Sequence, residues 1–316
     1  MIKVAISGAD TSVAGELIRI LVNHPDVEIV SLIAQGHEGK QLQSIHHGLL
    51  GEVSLTFSGS FKPSSANILF IADPNVKVSE IYRLRKAYPE LKVVALNPPV
   101  NDIEQEDEKA ETENEENTPE LVFALPEINR KPLVRGAGSA VIPNPVSSLA
   151  LVPLYPLALN MLLSGDITFN ISAPEDIITE ENLTRSIREI ADSLTEAQRS
   201  FHGDIKFHVL PPTSKRGIEL TVSIPCPLDM EHTLKAFDIY DDHNFSFAVT
   251  TPVKLDDVKG TEKIIFSLSL TKDGQLQIHS VADGRLRGSA GEAVHVMNLM
   301  FGLHEKTGLY LKPYAF

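Results

Sequence analysis

Within its first 33 residues the chain changes the period of its apolar residues twice, which constrains its fold more than any other feature. Ile2 to Ser7 is a strand-like run ended by Gly8. Val13, Leu17, Ile20 and Leu21 then recur at helical spacing, and Val27 to Ile33 is strand-like again. Two strands joined through a helix pair in parallel, because the crossover returns the chain to the edge it left. Further runs at Ile68 to Ile71 and Val93 to Leu96, a helix over Val78 to Ala87 between them, and a short strand at Ala140 to Ile142 extend the alternation. The expectation is an α/β chain with a doubly wound parallel sheet. After Asn144 the pattern shifts to alternating segments: Ile167 to Ile171, Ile218 to Ile224, Ile264 to Leu270 and Leu276 to Val281. With one long helix over Glu180 to Ser200, these predict an α+β unit with a largely antiparallel sheet. The last helix, from Ala290 to Phe301, has Ala290, Ala293, Val294, Met297, Met300 and Phe301 on one face and stops at Gly302. The expected domains are 1–146 with 286–316, and 147–285.

Charge and cysteine usage exclude several functions. The 316 residues carry a formal charge of −14, which opposes a nucleic-acid surface, since phosphates need clustered Lys and Arg. One cysteine, Cys226, excludes an internal disulfide, and no Cys or His spacing suggests a metal. The apolar stretch from Leu149 to Leu163 holds Pro153, Pro156 and Asn160 and is shorter than the roughly 20 residues of a membrane span, so it reads as a buried helix. The start, Met1-Ile2-Lys3, runs straight into a strand, which makes the cytoplasm the expected compartment. Nine acids from Asp102 to Glu116 against Lys109 alone mark 102–117 as a solvated acidic loop, with docking of a basic partner as the alternative.

Three blocks of sequence resemble the semialdehyde dehydrogenase superfamily, which includes N-acetyl-gamma-glutamyl-phosphate reductase and aspartate-semialdehyde dehydrogenase. The first is Gly8-Ala9 with Gly15 to Pro25, continued by Gly39-Lys40, His46-His47 and Gly51. The second is Leu125-Pro126-Glu127-Ile128-Asn129-Arg130, followed by Asn144-Pro145. The third runs from Arg287 to Val294, through Asn298 to Leu303, and on to Lys306-Thr307-Gly308-Leu309. The resemblance implies a Rossmann-like domain that binds NADP, a second domain that supplies catalysis and a homodimer interface, and a cysteine thiolate that attacks an acyl or aldehyde carbonyl. It places cofactor contacts at Gly8, Ala9, Thr11, Ser12, Val13, Gln35, Asn144, Gly288 and Gly291.

At the reacting positions the chain departs from that pattern. Ser147 in Asn144-Pro145-Val146-Ser147-Ser148 stands where the family has its cysteine. A hydroxyl, unlike a thiol, needs an adjacent base to become a nucleophile. The plainer reading of the segment is a strand-to-helix turn in which Asn144 caps, Pro145 takes the first helical position and the serines satisfy free N–H groups. The family's His-x-His-x-Pro-Glu-Ile segment aligns with Thr184 to Ile190, so Thr184 and Ser186 replace both histidines. His202, and His208 ahead of Lys215-Arg216-Gly217, are the remaining candidate bases, and Cys226 reads as a buried hydrophobe. The phosphate loop reads Gly8-Ala9-Asp10-Thr11-Ser12-Val13-Ala14 and keeps only its first glycine. Thr11 would crowd a pyrophosphate, Asp10 would repel it or cap the helix instead, and Ala34-Gln35-Gly36 offers neither an arginine for NADP nor an acid for NAD. Three functions follow. The leading reading is a noncatalytic homologue serving an unknown ligand or protein partner. The others are an NAD(P)-dependent oxidoreductase acting on an amino-acid-derived acyl phosphate or semialdehyde with altered chemistry, and a serine-dependent hydrolase using Ser147.

Overall fold

A computed structural model describes residues 1–96 and 121–314; the acidic run 102–117 lies outside the described residues. The chain divides into two units, Met1–Ile142 with Ser289–Tyr310, and Pro143–Gly288 with Leu311–Phe316. Among the described residues no helix is long and apolar enough to cross a membrane.

The first unit contains β1 (Ile2–Ser7), α1 (Ser12–Leu21), β2 (Val27–Ile33), β3 (Phe57–Ser58), β4 (Ile68–Ile71), α2 (Val78–Ala87), β5 (Lys92–Leu96), β6 (Leu121–Phe123), α3 (Pro126–Val134) and β7 (Ser139–Ile142). Among the described residues its sheet has seven strands, all parallel, in the order β3-β2-β1-β4-β5-β7-β6. The order reverses between β1 and β4, so a ligand crevice belongs at their carboxyl ends. Both faces of a parallel sheet are covered, which is why β4 is buried at all four positions and β5 at all but its first. The short strands β3 and β6, and the helix α3 with Pro132 inside it and a break at Asn129, were not foreseen from the periodicity.

In the second unit α4 (Pro145–Leu159) is followed by β8 (Ile167–Ser172), α5 (Glu180–Ala197), β9 (Ile205–Leu210), β10 (Gly217–Pro225), the short helix α6 (Met230–Lys235), β11 (Ser246–Val249), β12 (Ile264–Leu270) and β13 (Gln275–Asp283). The six strands are ordered β11-β12-β13-β10-β8-β9. The inner pairings are antiparallel and the two outermost are parallel, so the sheet is mixed around an antiparallel centre. The chain then returns to the first unit as α7 (Ala290–Met300), buried along its whole length, which packs against α1, α3, β5 and β7.

The helix α4 shows how the second unit accommodates an awkward sequence. It is buried from Pro145 to Leu154 and continues through Pro153 and Pro156. Each proline removes the N–H that would reach the carbonyl four residues back, so Pro156 leaves the Val152 carbonyl without its helical donor. The phenol of Tyr240, itself buried, donates to that carbonyl at 2.6 Å. Tyr240→Phe would strand a buried acceptor and should lower the unfolding free energy by about 1–3 kcal/mol in urea denaturation. An unchanged midpoint would mean that the bond carries no stability.

Candidate functional site

The loop after β1 is built around one glycine. Gly8 has φ +67°, and a Cβ there would lie 2.5 Å from the Asp73 nitrogen, so the β1 turn can meet the chain leaving β4 only without a side chain. Thr11 caps α1: its hydroxyl accepts from the Ala14 N–H at 3.2 Å and donates to the Gly8 carbonyl at 2.9 Å. The cap is therefore Thr11 and not Asp10. Asp10 instead faces His37 at 3.8 Å, and neighbouring Glu38 is held below the usual carboxylate range by its own and the Gly36 backbone N–H groups. His46 bonds the Ala9 carbonyl through its Nε2 at 2.7 Å, in room that exists because residue 15 is glycine, where a Cβ would lie 2.6 Å from the imidazole.

This geometry opposes a pyrophosphate. A helix N-terminus holds an anion through free N–H groups and its positive end, but here the Ala14 N–H is spent on Thr11 and the loop carries the acid Asp10. Ser12 and Gln35 are exposed, and Val13 is half-buried. The residues present do not fit the phosphates of a dinucleotide well.

The Asn-Pro segment lies in the second unit. Asn144 is buried and caps α4, with its side-chain oxygen accepting from the Val146 N–H at 2.9 Å and Pro145 at the first helical position. The Asn144 N–H donates to Glu189 Oε2 at 3.1 Å, and Glu189 Oε1 receives Arg185 Nε at 2.6 Å. Glu189 thus ties the α5 segment that aligns with the family's histidines to the turn that aligns with its cysteine. The Arg185 guanidinium beside it is buried. Gly288 has φ +63°, and a Cβ there would lie 2.3 Å from Pro145 Cα, so it lets the chain pass this turn closely.

The hydroxyls at the positions of the family's reactive groups are bonded within their own helix or buried. Thr184 and Ser186 each donate to the carbonyl four residues back, Glu180 and Asn182, at 2.9 Å, a local bond that occupies them within their own helix. Ser147 is fully buried, and its Oγ has no hydrogen-bond partner among the described residues. It does not satisfy a free N–H as the turn reading expected. His202 is exposed, and His208 is exposed on the edge strand β9. Arg216 is committed to buried Asp283 at 3.0 Å. Cys226 sits 3.5 Å from the Thr233 hydroxyl at the far end of β10. Gly291 is buried in α7, in the first unit. Among the described residues no His, Cys, Asp and Glu group could hold a metal. The Glu189 tie and the buried Arg185 were not singled out from sequence, although Glu189 stands at the glutamate of the aligned segment.

Residues 3–135 match the semialdehyde dehydrogenase NAD binding domain. The whole chain aligns with the full length of N-acetyl-gamma-glutamyl-phosphate reductases from Parabacteroides distasonis at 31% identity and from Phocaeicola vulgatus at 30%. The fold is that of aspartate semialdehyde dehydrogenase II from Vibrio cholerae complexed with ASA, with TM-score 0.68 and 13% identity over 96% of this chain and 98% of that one. It is also that of the Candida albicans aspartate semialdehyde dehydrogenase with NADP, with TM-score 0.64 and 11% identity over 95% and 98%. The chain belongs to the semialdehyde dehydrogenase superfamily, on the N-acetyl-gamma-glutamyl-phosphate reductase side of it.

A buried hydroxyl without a partner costs about 1–3 kcal/mol of desolvation. Ser147→Ala should therefore leave the unfolding free energy unchanged or raise it by up to about 1 kcal/mol. A loss of that size would show that the hydroxyl is hydrogen-bonded.

Proposed function

We propose that this chain is a noncatalytic homologue of N-acetyl-gamma-glutamyl-phosphate reductase that binds a ligand or partner on a scaffold whose reaction has been lost. The observation that carries this reading is the buried Ser147 hydroxyl with no hydrogen-bond partner among the described residues. A serine nucleophile needs a base within hydrogen-bond reach, and the hydroxyls at the aligned base positions are spent on helix carbonyls. The same observation argues against a serine-dependent hydrolase. Restoring the thiol alone does not restore a base, so Ser147→Cys should show no NADPH-dependent turnover of an N-acylated glutamyl phosphate or semialdehyde. Measurable turnover by that single variant would overturn the reading.

The second reading is an NAD(P)-dependent oxidoreductase with altered chemistry. Its support is the Gly8 turn, kept with positive φ at the crevice of a parallel sheet, and a match that spans the full length of reductase relatives. It requires saturable NADPH or NADH binding. Calorimetric titration that stays flat to millimolar cofactor would remove it and favour the noncatalytic reading.

The chain is proposed to act as a homodimer through its second unit. Val209 and Leu210 are exposed on edge strand β9, and exposed apolar positions on an edge invite pairing with another chain. Light scattering at tens of micromolar should give twice the chain mass, and a monomer would refute the proposal.

A further inference from the structure

At the amino-terminal edge of the parallel sheet, opposite the Gly8 crevice, a concavity of about 370 Å³ is lined by Lys131, Pro132, Arg135, Gly136, Ala137 and Gly138. Two more cations converge on the same turn. Lys92, the first residue of β5, donates from Nζ to the Ala137 carbonyl at 3.0 Å and the Gly136 carbonyl at 3.3 Å. Its ammonium lies 5.4 Å from the centre of the Phe301 ring. Arg85, in the last turn of α2, bonds the Tyr88, Pro89 and Leu91 carbonyls through Nη1. Its Nη2 lies where a Cβ on Gly138 would stand, so residue 138 must be glycine for the guanidinium to reach the turn. The Arg85 Nε is buried and has no hydrogen-bond partner among the described residues.

Among the described residues none of these four cations, Arg85, Lys92, Lys131 and Arg135, is in an ion pair, although the chain carries 42 acids against 28 Lys and Arg. Arg85 and Lys92 are held by backbone carbonyls. Burial holds both the Arg85 and Lys92 side chains below their usual range, with Arg85 adding to the effect on Lys92 and Glu90 opposing it in both. Clustering like charges against partly desolvated walls is unfavourable, and the field it creates is focused into the concavity. An anion would relieve it, and Lys131 and Arg135, both exposed at the rim, supply mobile donors to close on one.

We propose that the concavity at Gly136–Gly138 is a binding site for a small multivalent oxyanion, phosphoryl or carboxylate, separate from the crevice at the carboxyl ends of the strands. Its volume is at the low end of small-molecule sites, which run from roughly 300 Å³. That suits a compact metabolite and excludes a dinucleotide. The site is built wholly within the first unit and stands whether or not the chain is catalytic.

The test is calorimetric titration of the full chain with pyrophosphate and, separately, with citrate, at ionic strength fixed with chloride. Saturable binding of at least one of them is expected, and the tighter of the two identifies the phosphoryl or the carboxylate class. The double variant Lys131→Ala, Arg135→Ala changes exposed side chains, and its unchanged melting temperature in anion-free buffer will verify folding. Its affinity should fall at least tenfold, while Thr11→Ala, at the crevice loop, should leave affinity within twofold. No saturable binding of either anion, equal affinity in the double variant, or a loss confined to Thr11→Ala would each overturn the proposal.

Discussion

A carboxylate held away from water between an imidazole and a guanidinium keeps the first unit closed. Glu305 is buried; its Oε2 receives Arg130 Nη1 at 2.7 Å and lies 3.1 Å from His295 Nε2. Its own carbonyl, with that of Thr307, accepts from the Asn298 side chain, whose oxygen is bonded to His24 Nε2 at 3.0 Å. Gly308 then passes His24 at a distance no Cβ would allow. His24 follows α1, Arg130 is in α3, and the rest lie in or beyond α7, so one polar cluster ties the beginning, middle and end of the unit. A buried charge is tolerable only when paired and hydrogen-bonded, and losing any partner would leave the others exposed to that penalty.

The same cluster explains an oddity of the sequence. His24, Arg130, Asn298, Thr307 and Gly308 lie in blocks that resemble the reductase family, and here they meet in space around Glu305. Part of the resemblance to the reductases thus falls on residues that hold the sheet and its returning helix together. The departures from the family pattern lie in the β1 turn, in the first turn of α4 and on α5, where Thr11, Ser147, Thr184 and Ser186 are each accommodated by burial or by bonds to nearby backbone. Fold and reaction draw on different residues, so one can persist without the other.

Much of this architecture was legible in the periodicity. The long strands and both long helices of the two sheets come within a few residues of where their apolar spacing puts them, because each buries a continuous face. The elements that escaped are those whose local signal is weak. β3 has two residues, β6 three and the edge strand β11 four; α3 carries a proline; and the other edge strand, β9, exposed at most of its positions, lacks a clean alternation. The site was half legible. The Asn144 cap and Pro145 follow from helix-start chemistry, whereas the tie from Asn144 to Glu189 and the Tyr240 bond to Val152 join residues 45 and 88 positions apart. No local pattern encodes such pairings. Thr11 displaced Asp10 as cap because its hydroxyl can accept from the helix and donate to the Gly8 carbonyl at once, which a carboxylate cannot.

The first unit is completed by residues from both ends of the chain, and this sets the order in which it can be made. During synthesis, β1 to β7 leave the ribosome while α7 and the Glu305 cluster are still about 150 residues away. At roughly 5–20 residues per second that is a delay on the order of ten to thirty seconds. Through that interval the β5 and β7 surfaces that α7 covers face water, and His24 and Arg130 wait for Asn298 and Glu305. The newborn chain is therefore most exposed to chaperones, proteases and its own neighbours at the surface that is best sealed once synthesis ends.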